Sequence, residues 1–354
     1  MNRFTPSLPH RAHQRGAALL MAMVIVTLVA TLAASMVWQQ WRATQVEGAE
    51  RIRTQASWVL SGALDWARLI LREDAKSTDK SDHLGEPWAI PLAEARLSTF
   101  LASDSNNNSA DAEDAPEAFL SGKVEDAQAK YNLRRLLAST GDVDPEEVKV
   151  LKRLLESLSM SPSLADGIAE SLRKSVLAVA SLSDPDALNK LGGEQGRAQA
   201  PLVPQTFDQI LWLGLDAGTL ERLRPYVTLL PNNESTVNIN TAAKEVIAAV
   251  VPGLDLARAA RIVQARQRKP FKDDLSGNSG AFTEVVGKVS PDWDVKRLSI
   301  RSDYFEVRGR LRFEDNIIEQ RHLVERTSGG NDVVVRHQSR FSGLDKAADA
   351  GATP

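Results

Sequence analysis

The chain has 354 residues, a formal net charge of −3 and no cysteine. Its length and its 43% hydrophobic residues allow two compact domains beyond any membrane anchor. The near-neutral charge gives no overall indication of nucleic-acid binding, and the lack of cysteine excludes disulfides, thiol nucleophiles and cysteine-based zinc or iron–sulfur sites.

An uncharged apolar run extends from Ala17 to Val37. At about 1.5 Å per residue it predicts roughly 32 Å of helix, enough to span a bilayer. The preceding leader, residues 1–16, carries Arg3, Arg11 and Arg15 but no acid, so the positive-inside rule predicts a cytoplasmic N-terminus and a periplasmic bulk. Its small residue, Gly16, precedes the apolar run, whereas a secretory signal has its cleavage site after that run.

The helical pattern continues beyond the predicted span. Apolar residues recur every three or four positions to about Leu71, without a proline, which predicts one transmembrane and amphipathic stem helix over residues 17–73. Trp38 and Trp41 are predicted to lie in an interfacial belt, and Trp58 and Trp66 to pack against a core.

A short basic leader that ends in glycine before an apolar helix resembles the class III leader of type IV prepilins and type II secretion pseudopilins. The resemblance implies cleavage by prepilin peptidase between Gly16 and Ala17. Most members of that family have glutamate at the fifth mature position, where this chain has Met21. The minor pseudopilin K typically lacks that glutamate. An uncleaved membrane anchor is the alternative.

Residues 74–121 have a weaker pattern and are predicted to form the first part of a head domain, in which the stretch AEARLSTFLA is either a helix or a strand. Residues 103–116 are rich in Asn, Asp and Ser and are predicted to be a disordered acidic loop. Asp104, Asn106 and Asn108 have the spacing of EF-hand ligands. The loop lacks the glycine and the final glutamate of an EF-hand, which argues against calcium binding there.

Residues 122–291 are predicted to be a helical domain. KVEDAQAKYNLRRLL, EEVKVLKRLLESL and LADGIAESLRKSVLAVASL all have helical spacing. The segment Val237–Phe271 predicts a helix-hairpin-helix with Thr241 as N-cap. DNA-binding hairpins use a GxG turn, but here Asp255 stands in place of the second glycine, and its carboxylate would repel a phosphate.

Residues 292–343 return to strand patterns. Tyr304–Phe313 alternates between apolar and charged residues, and two further stretches, IIEQRHLVER and VVVRHQSRF, follow after turn residues. The apolar face of three antiparallel strands needs a cover, and we expect the distal half of the stem helix to supply it. The tail, residues 344–354, is predicted to be disordered.

Two motifs resemble those of the type II secretion minor pseudopilin K family, and they follow the leader in the order found in that family. One is an NxNTA signature after Leu-Pro, and the other is a Tyr-Asn-Leu stretch after an acidic segment with glutamine. The matching residues are Leu230, Pro231, Asn238, Asn240, Thr241 and Ala242 for the first, and Glu125, Asp126, Gln128, Tyr131, Asn132, Leu133 and Leu136 for the second.

The resemblance implies an α+β fold: a long N-terminal pilin-type helix and an antiparallel-sheet pseudopilin head, interrupted by a large all-α insertion of helix-hairpin-helix, SAM-like type. The family often has an acidic calcium-binding loop between the two motifs. This chain has only Asp184, Asp186 and Glu194 there, so the acidic loop is not evident and the number of calcium ligands is short. No cofactor is expected from the residues, and calcium stays open as what the family resemblance implies.

The resemblance also implies a function and partners. We expect a tip subunit of the periplasmic pseudopilus that helps to initiate assembly and to export folded proteins. Its partners would be the I- and J-type minor pseudopilins, the major pseudopilin, prepilin peptidase, secreted substrates and the outer-membrane secretin. No catalytic motif such as HExxH or GxSxG is present, so no enzyme activity is expected. The alternatives are a membrane-anchored DNA-uptake protein and a type IV pilus minor pilin.

Overall fold

A computed structural model describes residues 15–77, 80–97, 118–272, 275, 282, 297–313, 316–327 and 332–344. The chain divides into two compact units, Met1–Val59 and Leu60–Pro354. The leader up to residue 14, the acidic loop 103–116 and the tail from residue 345 lie outside the described residues.

The first long element is helix α1, Arg15–Ala75, which ends two residues beyond the predicted boundary at 73. From residue 17 it is long and apolar enough to cross a membrane, by length and composition. The hydroxyls of Thr27, Thr31 and Ser35 each donate to the carbonyl three residues earlier, at 2.8–2.9 Å. The polar groups of the apolar stretch are therefore satisfied within the helix, as a bilayer requires.

The head contains a five-stranded antiparallel sheet in which each strand pairs with the next one along the chain. The strands are β1 (Leu92–Arg96), β2 (Ala118–Asp126), β3 (Tyr304–Phe313), β4 (Asn316–Arg326) and β5 (Val333–Leu344). The predicted C-terminal strands are confirmed, and the stretch that contains AEARLSTFLA begins as a strand. β5 includes Leu344, which had been assigned to the tail.

One face of the sheet packs against the end of α1. Phe305 and Val307 of β3 form a buried cluster with Ala67 and Leu71 of the helix and with Trp88. The expectation that the distal helix covers the sheet is confirmed.

The helix also lies close to the sheet at a pair of glycines. Gly122 and Gly309 are register partners, and a Cβ added at Gly309 would lie only 3.0 Å from Leu60 Cδ2. The missing side chains therefore allow this close approach.

Two side-chain predictions for this region were wrong. Trp58 is 77% exposed and Trp66 is 53% exposed, whereas the buried positions are Ala67 and Leu71, one residue further on. His322 is buried on the helix-facing side of β4, where burial lowers its pKa.

A helical module occupies most of the chain between β2 and β3. Its helices are α2 (Pro145–Ser157), α3 (Ser163–Ala180), α4 (Pro185–Lys190), α5 (Glu194–Gln199), α6 (Ala217–Leu223), α7 (Lys244–Val250) and α8 (Leu256–Arg268). The described part of the module also contains three 3₁₀ turns (Ala127–Ala129, Leu133–Leu136 and Phe207–Leu213). It contains two short parallel pairs as well, Tyr131–Asn132 with Val227–Thr228 and Val237–Asn238 with Leu298–Ser299.

The module has a core of its own. Leu151 and Leu154 of α2 lie in one buried cluster with Val246 and Ile247 of α7 and Ile262 of α8. The predicted helices EEVKVLKRLLESL and LADGIAESLRKSVLAVASL correspond to α2 and α3, and the two helices of the predicted helix-hairpin-helix are α7 and α8.

Two predictions about the module were wrong. KVEDAQAKYNLRRLL does not start as a helix, because β2 continues through Asp126, five residues past the boundary placed at residue 121. Pairing with β3, from Ala118 opposite Phe313 to Asp126 opposite Phe305, overrides the local helical spacing. Thr241 is not an N-cap, since α7 begins at Lys244 and the Thr241 hydroxyl is used elsewhere.

Candidate functional site: the polar junction between sheet and module

The module joins the sheet through a buried polar cluster that we call the junction: Asp82, Asp126, Asn238, Thr241, Ser302 and Arg326. Asp126, the last residue of β2, lies on the same face of the strand as Leu120 and Val124. Its Oδ2 accepts hydrogen bonds from Thr241 Oγ1 at 2.5 Å, Ser302 Oγ at 2.6 Å and Asn238 Nδ2 at 3.0 Å. One carboxylate therefore binds side chains from two distant segments.

Asn238 connects three segments of the chain. Besides Asp126, its Nδ2 reaches the carbonyl of Asp82 at 3.1 Å and Ser302 Oγ at 2.9 Å, and its Oδ1 accepts from the amide of Asn240 at 2.9 Å. Both the oxygen and the nitrogen of the side-chain amide are thus hydrogen-bonded, so Asn238 holds these segments together.

Arg326, the last residue of β4, supplies the positive charge of the junction. Its Nη2 lies 2.6 Å from both carboxylate oxygens of Asp82 and from the carbonyl of Ser302, and its Nη1 lies 3.1 Å from Asp74. The guanidinium also stacks 5.0 Å above the Phe305 ring. The arginine therefore links the end of α1 to the sheet.

Burial perturbs two carboxyl groups, Asp126 in the junction and Asp74 beside it. Burial raises the pKa of Asp126 to about 6, against the hydrogen bonds that favour its charged form. Burial, followed by repulsion from Glu86 and Asp82, raises the pKa of Asp74 to about 6. The junction is consequently sensitive to pH just below neutrality.

The other motif residues also have structural contacts. Asn240 pairs with the backbone of Phe271, donating to its carbonyl and accepting from its amide, both at 2.9 Å. Asn132 Oδ1 accepts from the amide of Leu230 at 3.0 Å, and its Nδ2 donates to Ser235 Oγ at 2.8 Å. The side chains of Leu133 and Ala242 are buried. These motif residues hold segments of the module together.

The structure places six of the motif residues in the module and its junction: Asn132, Leu133, Asn238, Asn240, Thr241 and Ala242. Sequence reasoning missed Asp82, Ser302 and Arg326 as members of the junction. One signal could have revealed two of its charges: Asp126 and Arg326 both stand at inward positions of strands that otherwise alternate, and a charge at such a position needs a partner.

The acids between the two motifs have partners within the protein. Asp184 caps α4 by accepting from the amide of Asp186 at 2.9 Å, and Glu194 pairs with Arg197 at 2.5 Å. A second acidic group, Asp74, Asp82 and Glu86, has oxygens within 4.8 Å of one another, but Arg326 already binds the first two.

The hairpin between α7 and α8 is closed by its own side chains. Asp255 caps α8, with its Oδ1 2.7 Å from the amide of Arg258. The Arg258 guanidinium donates to the Asp255 carboxylate at 3.1 Å and to the carbonyl of Gly253. The Arg258 cation is therefore engaged inside the hairpin.

Gly16 and Ala17, the expected processing site, lie in the first turn of α1. Met21 lies in the next turn and is exposed, as are the large apolar residues up to Val37.

Comparisons with known proteins agree with this architecture. The sequence model of "Type II secretion system (T2SS), protein K" matches residues 237–287, and a second model with that description matches residues 129–232. The type II secretion system protein K of Pseudomonas aeruginosa is 26% identical over 353 residues, 94% of each chain. That of Klebsiella pneumoniae is 29% identical over 270 residues, 72% of this chain and 75% of the relative.

A solved structure has the same fold. It is a chain from the crystal structure of the GspK-GspI-GspJ complex of the enterotoxigenic Escherichia coli type 2 secretion system. The TM-score is 0.57 at 20% identity, and the match covers 83% of this chain and 98% of the other.

The end of a long N-terminal helix packs on an antiparallel sheet that carries an inserted helical module, and this is the fold shared with that solved chain. The two sequence models and the relatives of similar length then identify the chain as a member of the type II secretion system protein K family, a minor pseudopilin. The resemblance drawn from the motifs is confirmed, and the apolar helix fits an inner-membrane anchor.

Proposed function

We propose that this minor pseudopilin is the tip subunit of the periplasmic pseudopilus and helps to initiate its assembly for the export of folded proteins. The observation that carries the proposal is the bulky module inserted between the end of β2 at Asp126 and the start of β3 at Tyr304. Such an insertion would obstruct the stacking of a further subunit, and a tip subunit needs none above it.

Its immediate partners are the I- and J-type minor pseudopilins, and the major pseudopilin lies below them. The support is that a chain with this fold occurs in the crystal structure of a GspK-GspI-GspJ complex. Contacts with secreted substrates and with the outer-membrane secretin belong to the same proposal.

The chain is made as a precursor with a cytoplasmic N-terminus and a periplasmic bulk, and prepilin peptidase cuts between Gly16 and Ala17. The support is the leader with Arg3, Arg11 and Arg15 and no acid, followed at once by an apolar helix. Met21 in place of glutamate suits a subunit that does not pair with a neighbour's N-terminal amine in the filament.

The proposed role is structural, with no enzyme activity, no cofactor and no nucleic-acid partner. The junction's polar groups contact one another, and Arg258 is engaged by Asp255 and Gly253 instead of being presented to a phosphate. The backbone amide of Arg258 also donates to the Asp255 carboxylate at 2.7 Å, so this amide of the hairpin is not open to the phosphate that the DNA-uptake alternative needs.

The test is co-purification of the full chain, in detergent, with full-length I- and J-type minor pseudopilins, followed by mass measurement of the complex by light scattering. We expect one ternary species that is absent when the I- and J-type proteins are mixed alone. Gold labelling of sheared pseudopili should mark one end only. A chain that stays alone with both partners present, or label spread along the filament, would contradict the proposal.

A further inference from the structure

A groove lies on the face of the sheet opposite to α1. Its floor is formed by residues of β3, β4 and β5 that alternate with the helix-facing positions, and its wall by the 3₁₀ turn Phe207–Leu213 and the strand Val227–Thr228. The cavity volume is about 130 Å³, which is enough for a side chain of several atoms. We call it the outer groove.

The arginines of the outer groove already have acidic partners. Arg224 is 2.7 Å from Asp208, and Arg308 is 2.6 Å from Glu306. Arg321 is 2.5 Å from Glu319. Their guanidinium groups are thus fixed within the protein.

Lys130 differs from these arginines. Among the described residues its ammonium makes neither a hydrogen bond nor an ion pair, although the side chain is largely buried. Burial lowers the pKa of Lys130, while Glu306 and Glu125 act in the opposite direction. Both of those acids are held by Arg308, at 2.6 and 3.3 Å. A largely buried cation without a direct partner is costly, and a carboxylate brought into the groove would remove that cost.

The remaining lining suits the rest of an acidic side chain. The hydroxyls of Thr228 and Ser339 line the groove and have no partner among the described residues, so they can donate to a second oxygen. Phe207 and Leu323 provide apolar surface for methylene groups. The two carboxylates of the lining, Asp208 and Glu306, are each held by an arginine, which leaves Lys130 as the cation without a direct partner. With the hydroxyls and the apolar walls, Lys130 matches Asp or Glu on a protein segment better than a small, fully hydrated anion.

We propose that the outer groove binds a carboxylate side chain of a partner minor pseudopilin, with Lys130 as its counter-ion. The inference rests on the proposed function, because the partner is a member of the tip complex. It adds a specific contact surface, which lies at the seam between the sheet and the helical module.

The first test measures the affinity of the full chain, in detergent, for the immobilised I- and J-type pair. Lys130→Gln should weaken binding about tenfold, since it leaves a partner's acid without its counter-ion, whereas Lys130→Arg should stay within about threefold. Lys149→Gln is the matched control, because Lys149 is an exposed lysine of α2 that already pairs with Glu146 at 2.7 Å. It should bind like the wild type.

The second test needs no variant and therefore does not depend on the folding of one. A zero-length carbodiimide couples an amine only to a carboxylate that touches it. Peptide mass spectrometry of the treated complex should show Lys130 joined to an Asp or Glu of a partner.

If the wild type binds the pair but Lys130→Gln binds equally well and no such peptide forms, the groove proposal is wrong and the tip complex stands. If the wild type does not bind the pair, the proposed function is wrong and this inference falls with it. A peptide joining Lys130 to Glu306 in the complex would also overturn the inference, since the counter-ion would then be internal.

Discussion

The junction makes a quantitative prediction for Asp126→Asn. The carboxylate accepts three hydrogen bonds at Oδ2, from Asn238, Thr241 and Ser302, and one at Oδ1 from the amide of Gln128 at 2.7 Å. An asparagine can accept at only one of these two positions, and its NH₂ group then faces a donor. Even in the better orientation, the Gln128 amide loses its acceptor.

The size of the effect follows from these contacts. A buried donor left without an acceptor costs about 1–3 kcal/mol, and the bonds that remain are no longer assisted by a full negative charge. Removing a buried charge offsets part of this loss. We therefore expect Asp126→Asn to lower the free energy of unfolding by about 2–3 kcal/mol at pH 7.5.

The same carboxyl group also sets a pH dependence. The pKa of Asp126 is raised by burial from 3.8 to about 6 in the folded chain, so on acidification the folded state takes up the proton before the unfolded state does. The resulting stabilisation is complete below about pH 4 and is lost as pH rises through 6. Between pH 7.5 and 5 it amounts to roughly 1.4 kcal/mol in favour of the wild type, and the asparagine variant lacks it.

The assay is urea unfolding of the full chain in detergent at both pH values, followed by tryptophan fluorescence. Glu125→Gln is the matched control: it lies next to Asp126 on the outer face of β2 and pairs with Lys123 at 2.6 Å while partly exposed. It should cost less than about 1 kcal/mol. An Asp126→Asn chain that is as stable as the wild type at pH 7.5 and has the same pH dependence would refute the reasoning.

Two other positions give further predictions. Gly309→Ala should lower the melting temperature, at a cost of about 1–3 kcal/mol, because the new Cβ would lie 3.0 Å from Leu60 Cδ2. Gly62→Ala, inside α1 with nothing within 4 Å of the added carbon, should instead raise stability by about 0.5–1 kcal/mol. Melting-temperature shifts of the same sign for the two variants would contradict the close packing at Gly309. Asn240→Ala should accelerate hydrogen exchange at the amide of Phe271 by about tenfold or more, since that amide loses its acceptor; unchanged exchange would show that the pairing is dispensable.

Several elements could be predicted because their signals are local. The apolar run from Ala17, the alternation in Tyr304–Phe313 and the helical spacing of Pro145–Ser157 each extend over at least ten residues. The motif order around Asn132 and Asn238 supplied the family, which no periodicity could have done.

Other features depend on contacts between distant positions. The residues of β2 beyond Gly122 have helical spacing, yet they form a strand because they pair with β3, about 180 residues later in the chain. The junction joins positions 82, 126, 238, 302 and 326, and no local pattern states that these will meet. Trp58 and Trp66 were placed in the core because their spacing is compatible with it, but the contacting face of α1 is shifted by one residue.

The central claim is that a peptidase-processed pseudopilin carries this head on its N-terminal helix. Its most direct test is the intact mass of the chain purified from membranes of cells with and without prepilin peptidase. We predict a mature chain that starts at Ala17 when the peptidase is present, and an unprocessed chain that starts at Met1 when it is absent. A chain that starts at Met1 in both, or one that starts beyond Val37, would contradict the account.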